Sequence, residues 1–249
     1  MNSPVYIMWL RQVKKYLRSK ARIIGSLGQP ILFLVALGFG LGHLYQQTTG
    51  GNFIDFLAPG IIAMSILFTA MFAGIEVIWD RQFGFLKETL VAPVSRFKIM
   101  WGRTLGGATT AILQGIIVLI ITLLIGFRVV NWLYFPIALI FMILIGLLFT
   151  SLGTALASRM NDMQAFPLIM NFIIMPIFFL SGALFPLDSA PTALKIIADF
   201  NPLTYGVDGI RAALTGVTQF GIIPDFFVCA LVTAIILIFG SWMFSRIQI

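Results

Sequence analysis

One cysteine, Cys229, and one histidine, His43, are all the chain has of either residue in 249 positions. A disulfide needs two thiols and a Cys/His metal cluster needs several ligands, so neither is built within one copy. Charge is scarce as well: Asp, Glu, Lys and Arg make up 10% of residues, against ~25% in soluble domains, and they are bunched rather than spread. The phosphate-loop pattern G-x4-G-K-[ST] occurs nowhere, so no ATP site of that kind is encoded. These absences exclude a soluble globule, a disulfide scaffold and a chain that drives itself through its own phosphate loop.

What is present is apolar. Hydrophobic residues make up 59% of the chain, Phe alone fills 24 positions, and six tracts of 20 or more residues carry no Asp, Glu, Lys or Arg. They cover 23–54, 56–75, 104–127, 129–158, 163–187 and 226–245, and each can cross a hydrocarbon core ~30 Å thick. None shows the alternation of a barrel strand, so helices must satisfy the backbone in lipid. The expected fold is an all-α integral membrane protein with six transmembrane helices in a single domain, 1–249. The first tract exceeds the apolar core of a cleavable leader and has no small-residue cleavage site, so it is expected to remain as a span. Prolines 167, 176 and 186 mark the fifth helix as the one that bends.

The charges are sorted by side. Thirteen of the sixteen Lys and Arg flank the tracts on the side of the N-terminus, leaving Arg128, Lys195 and Arg211 on the other. By the positive-inside rule both termini are cytoplasmic. With acids included the balance is +9 inside and −2 outside, so the net charge of +7 is a topology signal that faces anionic lipid, with no nucleic acid implied.

Three segments are not spans. Residues 4–21 place Tyr6, Trp9, Leu10, Val13 and Leu17 on one helical face and Arg11, Lys14, Lys15, Arg18 and Arg22 on another, an interfacial amphipathic helix that anchors on the inner leaflet or binds a partner. Residues 76–96 place Trp79, Phe83, Leu86 and Leu90 on one face, with Glu76, Asp80, Gly84 and Lys87 opposite, before Pro93 stops the helix. That pattern fits a membrane-hugging connector or a lever docked on a soluble partner. Glu76 abuts a span and needs a partner, for which Arg81 and Arg103 are candidates.

Residues 188–216 form the third segment. Asn201 as cap, Pro202 at the first position and Gly216 at the end define a helix of ~14 residues, ~21 Å and too short to cross. Leu203, Val207, Ile210 and Leu214 make its apolar face; Thr204, Asp208, Arg211 and Thr215 make a polar one, with Asp208 and Arg211 spaced to pair. It is expected to lie in the outer interface or to dip in as a re-entrant piece, preceded by a shorter helix over 191–199. Gly102 and Gly106 form a GxxxG pair that reads as close helix contact, and Gly38, Gly40 and Gly42 read as helix packing because they follow no strand.

Two rival functions are testable on the residues. An ion-driven secondary transporter normally carries ionisable groups near mid-membrane, whereas here Gln114 and Asn171 are the main polar side chains at depth. It stands as the alternative. An intramembrane enzyme needs a base, a nucleophile pair or a metal site, and no buried His, Cys pair or acid dyad is apparent.

The strings E-x4-R-x2-G-x3-E (Glu76, Arg81, Gly84, Glu88), P-V-S-R (Pro93, Ser95, Arg96), S-G-x2-F-P-L (Ser181, Gly182, Phe185, Pro186) and N-P-L-T-Y-x-V-D-x-I-R (Asn201, Pro202, Tyr205, Asp208, Arg211) complete the landmarks. Taken with the six tracts, they resemble, over essentially the whole chain, the permeases of type-2 ATP-binding-cassette exporters, which include daunorubicin-resistance and nodulation-factor export permeases. The resemblance implies that 76–96, including Leu86, is a coupling segment seated in a groove of a separate ATP-hydrolysing subunit. It implies that 188–216, with Phe185 and Pro186 just before it, is an external gate. It further implies two permease chains, as a homodimer, with two ATPase chains, in a cell (inner) membrane. No cofactor is expected in this chain, with ATP and Mg held by the partner. Transport would be export by alternating access of a hydrophobic, lipid-linked or glycan substrate.

Overall fold

The computed structural model describes residues 3–49, 51–160, 162–187 and 190–247. Asp188 and Ser189, which open the 188–216 segment, lie outside that set, as does the side chain of Leu90. The described chain is predominantly helical, with no strand among the described residues. In order the helices are α1 (Pro4–Arg18), α2 (Lys20–Gly40), α3 (Gly42–Thr49), α4 (Phe53–Phe72), α5 (Ile75–Gln82), α6 (Phe85–Val91), α7 (Arg96–Ile125), α8 (Phe135–Ala157), α9 (Ala165–Phe179), α10 (Thr192–Asp199), α11 (Pro202–Thr215) and α12 (Ile222–Ser245). A 3-10 turn, Trp132–Tyr134, leads into α8.

Among the described residues, five helical stretches are long and apolar enough to cross a membrane: Lys20–Gly40, Phe53–Gln82, Arg96–Ile125, Trp132–Ala157 and Ile222–Ser245. The fifth tract of the sequence departs from the expected continuous span. Its helix, α9, has 15 residues, about 22 Å, and contains Pro176. Residues 180–187 continue without α-helix, and Gly182 takes a φ of 69°. The segment still joins the two ends of the bundle. Arg81 at the end of α5 reaches the Ser158 and Met160 carbonyls just before α9, and Arg211 reaches the Gly182 carbonyl just after it.

Non-helical backbone at this depth survives where protein covers it. Ala183 and Leu184 are buried, and the Ala183 carbonyl lies so close to Gly60 of α4 that a Cβ there would collide with it. Glycine at position 60 is therefore what lets the broken segment seat against the core. That core is α4, buried along most of its length and surrounded by α7, α8 and α11, while α2 and α12 keep exposed apolar faces that include Leu32, Phe39, Phe227 and Ile238.

The GxxxG pair does mark close contact, and its partner is α1. A Cβ on Gly102 would come within 2.6 Å of the Met8 Cβ, and one on Gly106 within 2.5 Å of the Gln12 Cβ. Met8, Gln12 and Tyr16, one turn apart, form the buried stripe that fills this groove, Trp9 Nε1 donates to Thr109 Oγ1 at 3.0 Å, and the Tyr16 hydroxyl donates to Gln114. Tyr6 and Leu17 of the expected apolar face stay exposed. The helix expected to anchor on the inner leaflet or bind a partner is packed against the bundle along one edge.

Gly60→Ala is expected to lower stability by about 1–3 kcal/mol through overpacking on Ala183. Gly28→Ala, where a Cβ meets nothing within 4 Å, is expected to be neutral or stabilising. Thermal unfolding of the purified variants in detergent checks both.

Candidate functional site

At the end of the bundle that carries the N-terminal basic run, α4 continues almost directly into α5. This brings Glu76 and Asp80, one turn apart, against α1, α2 and α7. Asp80 receives Arg11 through two hydrogen bonds, 2.7 and 3.0 Å, and also bonds to the buried Arg103. Glu76 Oε1 receives Arg22 at 2.7 Å, and Lys15 Nζ stands 3.4 Å from Oε2. Arg11 also lies over the Phe85 ring, 3.8 Å from its centroid, and Lys15 faces Trp79 at 5.1 Å. Burial raises the pKa of Tyr16, against the opposing influence of Arg22, so the phenol is a neutral donor to Gln114.

Two expectations are corrected here. The partners of Glu76 are Arg22 and Lys15, whereas Arg103 serves Asp80 and Arg81 serves the Ser158 and Met160 carbonyls at 2.8 and 3.2 Å. The 76–96 segment is also not one amphipathic helix with its acids outward. Gly84, at φ 81°, breaks it into α5 and α6, so the faces before and after the break are turned independently. Glu76 and Asp80 point inward while Phe83 is 80% exposed. The charge pairing available inside outweighs the apolar periodicity.

The remaining motif residues divide by direction. Leu86 is buried and anchors α6, Ser95 caps α7 through Lys98 N at 3.4 Å, and Arg96 donates to the Ser245 and Ile247 carbonyls, tying α7 to the end of α12. Glu88, Pro93, Ser95 and Arg96 are exposed, together with Phe83, Lys87 and Val91. The result is a rigidly held platform with a tip that combines apolar and charged side chains and makes few contacts within the chain.

The opposite end is organised by α11. As expected, Asn201 Oδ1 accepts from Leu203 N, Pro202 takes the first position, and Gly216 ends the helix at φ 75°. Asn201 Nδ2 also donates to the Ile177 carbonyl at 2.6 Å, linking α11 to α9, and the Tyr205 hydroxyl donates to the Asp199 carbonyl at 2.8 Å. Phe185 is exposed and Pro186 half-buried. The helix does not keep a wet polar face: it is wedged among α4, α8 and α12, and Thr204, Asp208 and Arg211 are all buried.

Asp208 and Arg211 do not pair. Asp208 Oδ2 accepts from Thr218 Oγ1, Gln219 N and Phe220 N at 2.8–3.1 Å, fixing the turn between α11 and α12. Arg211 donates to Gly182 O at 2.9 Å and stacks on Phe56, its guanidinium carbon 4.2 Å from the ring centroid. Sequence spacing put the two on adjacent turns of one helix, but each found fixed backbone partners on other segments. The residues missed from sequence are Arg11, Lys15, Arg22 and Asp80. The signal was there in matched four-residue spacings, Arg11 to Lys15 and Glu76 to Asp80, on separate helices.

Between α2 and α4 lies a cavity of ≈ 410 Å³ whose wall mixes Met64, Phe68 and Phe72 with Gln29, Ser65 and Thr69. It is the structure's amphipathic recess near the paired acids, with Arg22 at its rim.

Asp80→Asn is expected to lower stability by about 3–5 kcal/mol, because it leaves Arg103 buried without its counter-charge. Glu88→Gln, on the exposed tip, is expected to change stability by less than about 0.5 kcal/mol. Parallel thermal unfolding separates the two effects.

The family description "ABC-2 type transporter" matches residues 4–215, which take in the platform, the broken segment and α11. Nodulation protein J of Rhizobium leguminosarum bv. viciae is 33% identical over 198 residues, 79% of this chain and 76% of its own length. Nodulation protein J of Rhizobium meliloti (strain 1021) is 29% identical over 198 residues, 79% of this chain and 75% of its own length. The ycf38 protein of Cyanophora paradoxa, named as a transport permease, is 27% identical over 197 residues, 78% of this chain and 68% of its own length. With its long apolar helices, the chain belongs to the ABC-2 type transporter family, as a multi-pass membrane protein and a transmembrane transport subunit of an ABC exporter.

Proposed function

We propose that this chain is the permease half of an ATP-driven exporter that works by alternating access, with the coupling segment at Phe83–Arg96 seated on a separate ATP-hydrolysing subunit. The exposed tip carries the proposal. Phe83 and Val91 are 80% and 85% exposed beside Lys87 and Glu88, on a stem anchored by Leu86, Arg81 and the paired acids. Such a surface suits a docking knob, because isolated exposed aromatic and charged side chains on a rigid base are what a complementary groove recognises. The partner holds ATP and Mg.

In this reading the basic end is cytoplasmic, both termini lie inside, and the membrane is the cell's inner membrane. Two permease chains and two ATPase chains assemble, and the exposed apolar faces of α2 and α12 are the surfaces available to lipid and to the second permease. Closure of the ATPase pair pushes the tip, and the push enters α4 and α7 directly, since α5 continues the first and Arg103 of the second is bonded to Asp80. The outer gate is the 180–187 stretch with α11, where Asn201 and Arg211 hold α11 to the chain on either side of the end of α9. The recess between α2 and α4 supports an amphipathic substrate, with a hydrophobic, lipid-linked or glycan molecule as the class.

Phe83→Asp and Glu88→Lys are expected to lower co-purification of the ATPase subunit at least about tenfold, the effect of losing one buried interface anchor, while leaving membrane insertion and the permease's own thermal midpoint unchanged. Arg81→Ala is expected to keep the ATPase bound but to uncouple hydrolysis from export, because it releases the stem from the α8–α9 turn. Wild-type export in all three variants would contradict the coupling assignment.

A further inference from the structure

The counter-charge of Arg211 poses a separate question. Its side chain is 4% exposed, yet no Asp or Glu among the described residues lies within ion-pair distance. Nη2 donates to Gly182 O, and Nε is buried with no hydrogen-bond partner among the described residues. Asp208, one turn earlier, spends Oδ2 on the Thr218–Phe220 turn. The Asp208 carboxylate favours the charge of Arg211 only from beyond ion-pair distance, and a buried guanidinium with no counter-ion in contact is unfavourable by several kcal/mol.

The same guanidinium lines a cavity of ≈ 280 Å³ that opens at the α11 end of the bundle, together with Arg128, Tyr45, Asn52, Asp55 and Phe56. Two cations and one anion line it. The anion, Asp55, accepts the Arg128 backbone N–H at 3.1 Å and so is already partly satisfied. Arg128 is exposed on the turn after α7 and lines the same cavity. Arg211 is held from two sides by Phe56 and by the Gly182 carbonyl, which leaves a fixed planar fork of donors. That arrangement matches the bidentate geometry of a tetrahedral or planar oxyanion.

We infer that Arg211 and Arg128 form an oxyanion site at this end of the bundle, which takes a phosphate-type group through the fixed fork of Arg211 and the exposed charge of Arg128. The volume admits a head group and not a whole lipid or glycan. The site stands whether or not the chain exports; the proposed function adds that it faces the outside, where an anionic head group leaving the gate or present in the outer leaflet would meet it. The same chemistry comes from a free ion or from a lipid, and the two are separable.

The test uses the full chain with whatever subunits accompany it. In neutral detergent, sodium phosphate is titrated against sodium chloride at constant ionic strength while the thermal midpoint is followed; in nanodiscs, phosphatidylglycerol is compared with phosphatidylcholine. The wild type is expected to give a saturable rise with phosphate, with phosphatidylglycerol, or with both. A response to free phosphate assigns a soluble oxyanion, and a response to the anionic lipid alone assigns a head group. Arg128→Gln, on the exposed turn, should fold normally and weaken the apparent affinity about tenfold, the scale of one charge-assisted contact. Arg211→Lys keeps the charge but loses the fork and should weaken it at least as much, whereas Asp55→Asn should strengthen it. No saturable response to either probe, or an equal response in the wild type, Arg128→Gln and Arg211→Lys, overturns the site; the latter pattern is the general salting effect of phosphate on any protein.

Discussion

Two carboxylates one helical turn apart, Glu76 and Asp80, gather four basic side chains from three helices: Arg11 and Lys15 of α1, Arg22 of α2 and Arg103 of α7. Each carboxylate is buried, and so is Arg103, so these three charges depend on their partners, while Arg11, Lys15 and Arg22 keep contact with solvent. The arrangement fixes α1 along the groove of Gly102 and Gly106 and sets the direction in which α5 leaves α4. Everything that projects from this end, including the exposed tip at Phe83–Arg96, inherits its position from those pairs. A salt-bridged cluster of this kind is weak as a source of net stability, since burying the ions opposes their attraction, but removing one partner leaves a buried charge uncompensated.

The two ends of the molecule are joined by continuous elements. The α4–α5 stretch runs from Asp55, beside the Arg211 cavity, to Asp80 in the charge cluster. The α9 segment runs from the turn held by Arg81 to the Gly182 carbonyl held by Arg211. The two ends are thus connected by the buried core helix and by a segment whose helix ends at Leu180 and whose backbone turns at Gly182, with Gly60 letting that segment seat against α4.

Much of this was legible in the sequence. Charge-free tracts marked the spans because an unpaired charge is intolerable in lipid, and Asn201, Pro202 and Gly216 bounded α11 because capping is local chemistry. The GxxxG pair at Gly102 announced close approach, though not that α1 would be the partner. What failed was pairing between distant segments. The apolar spacing of Trp79, Phe83 and Leu86 outlined an amphipathic helix, but the φ of Gly84 divides it and the basic residues of α1 draw the acids inward. Asp208 and Arg211 were matched by spacing on one helix, and both instead met backbone groups that no local pattern encodes. The fifth tract was apolar enough to span, yet Pro176 and the packing of 180–187 on Gly60 ended its helix early.

The ion pairs that Glu76 and Asp80 make with α1, α2 and α7 hold the exposed tip in position, and a charge exchange at Glu76 and Arg22, the α2–α5 pair, is the measurement that bears on this. Glu76→Arg and Arg22→Glu are each made alone and together, and recovery of the intact complex with its ATPase subunit is measured by mass under native conditions. The account predicts that each single exchange abolishes recovery, because it buries like charges side by side, and that the double exchange restores most of it. Single exchanges that assemble like the wild type, or a double exchange no better than either single one, would contradict it.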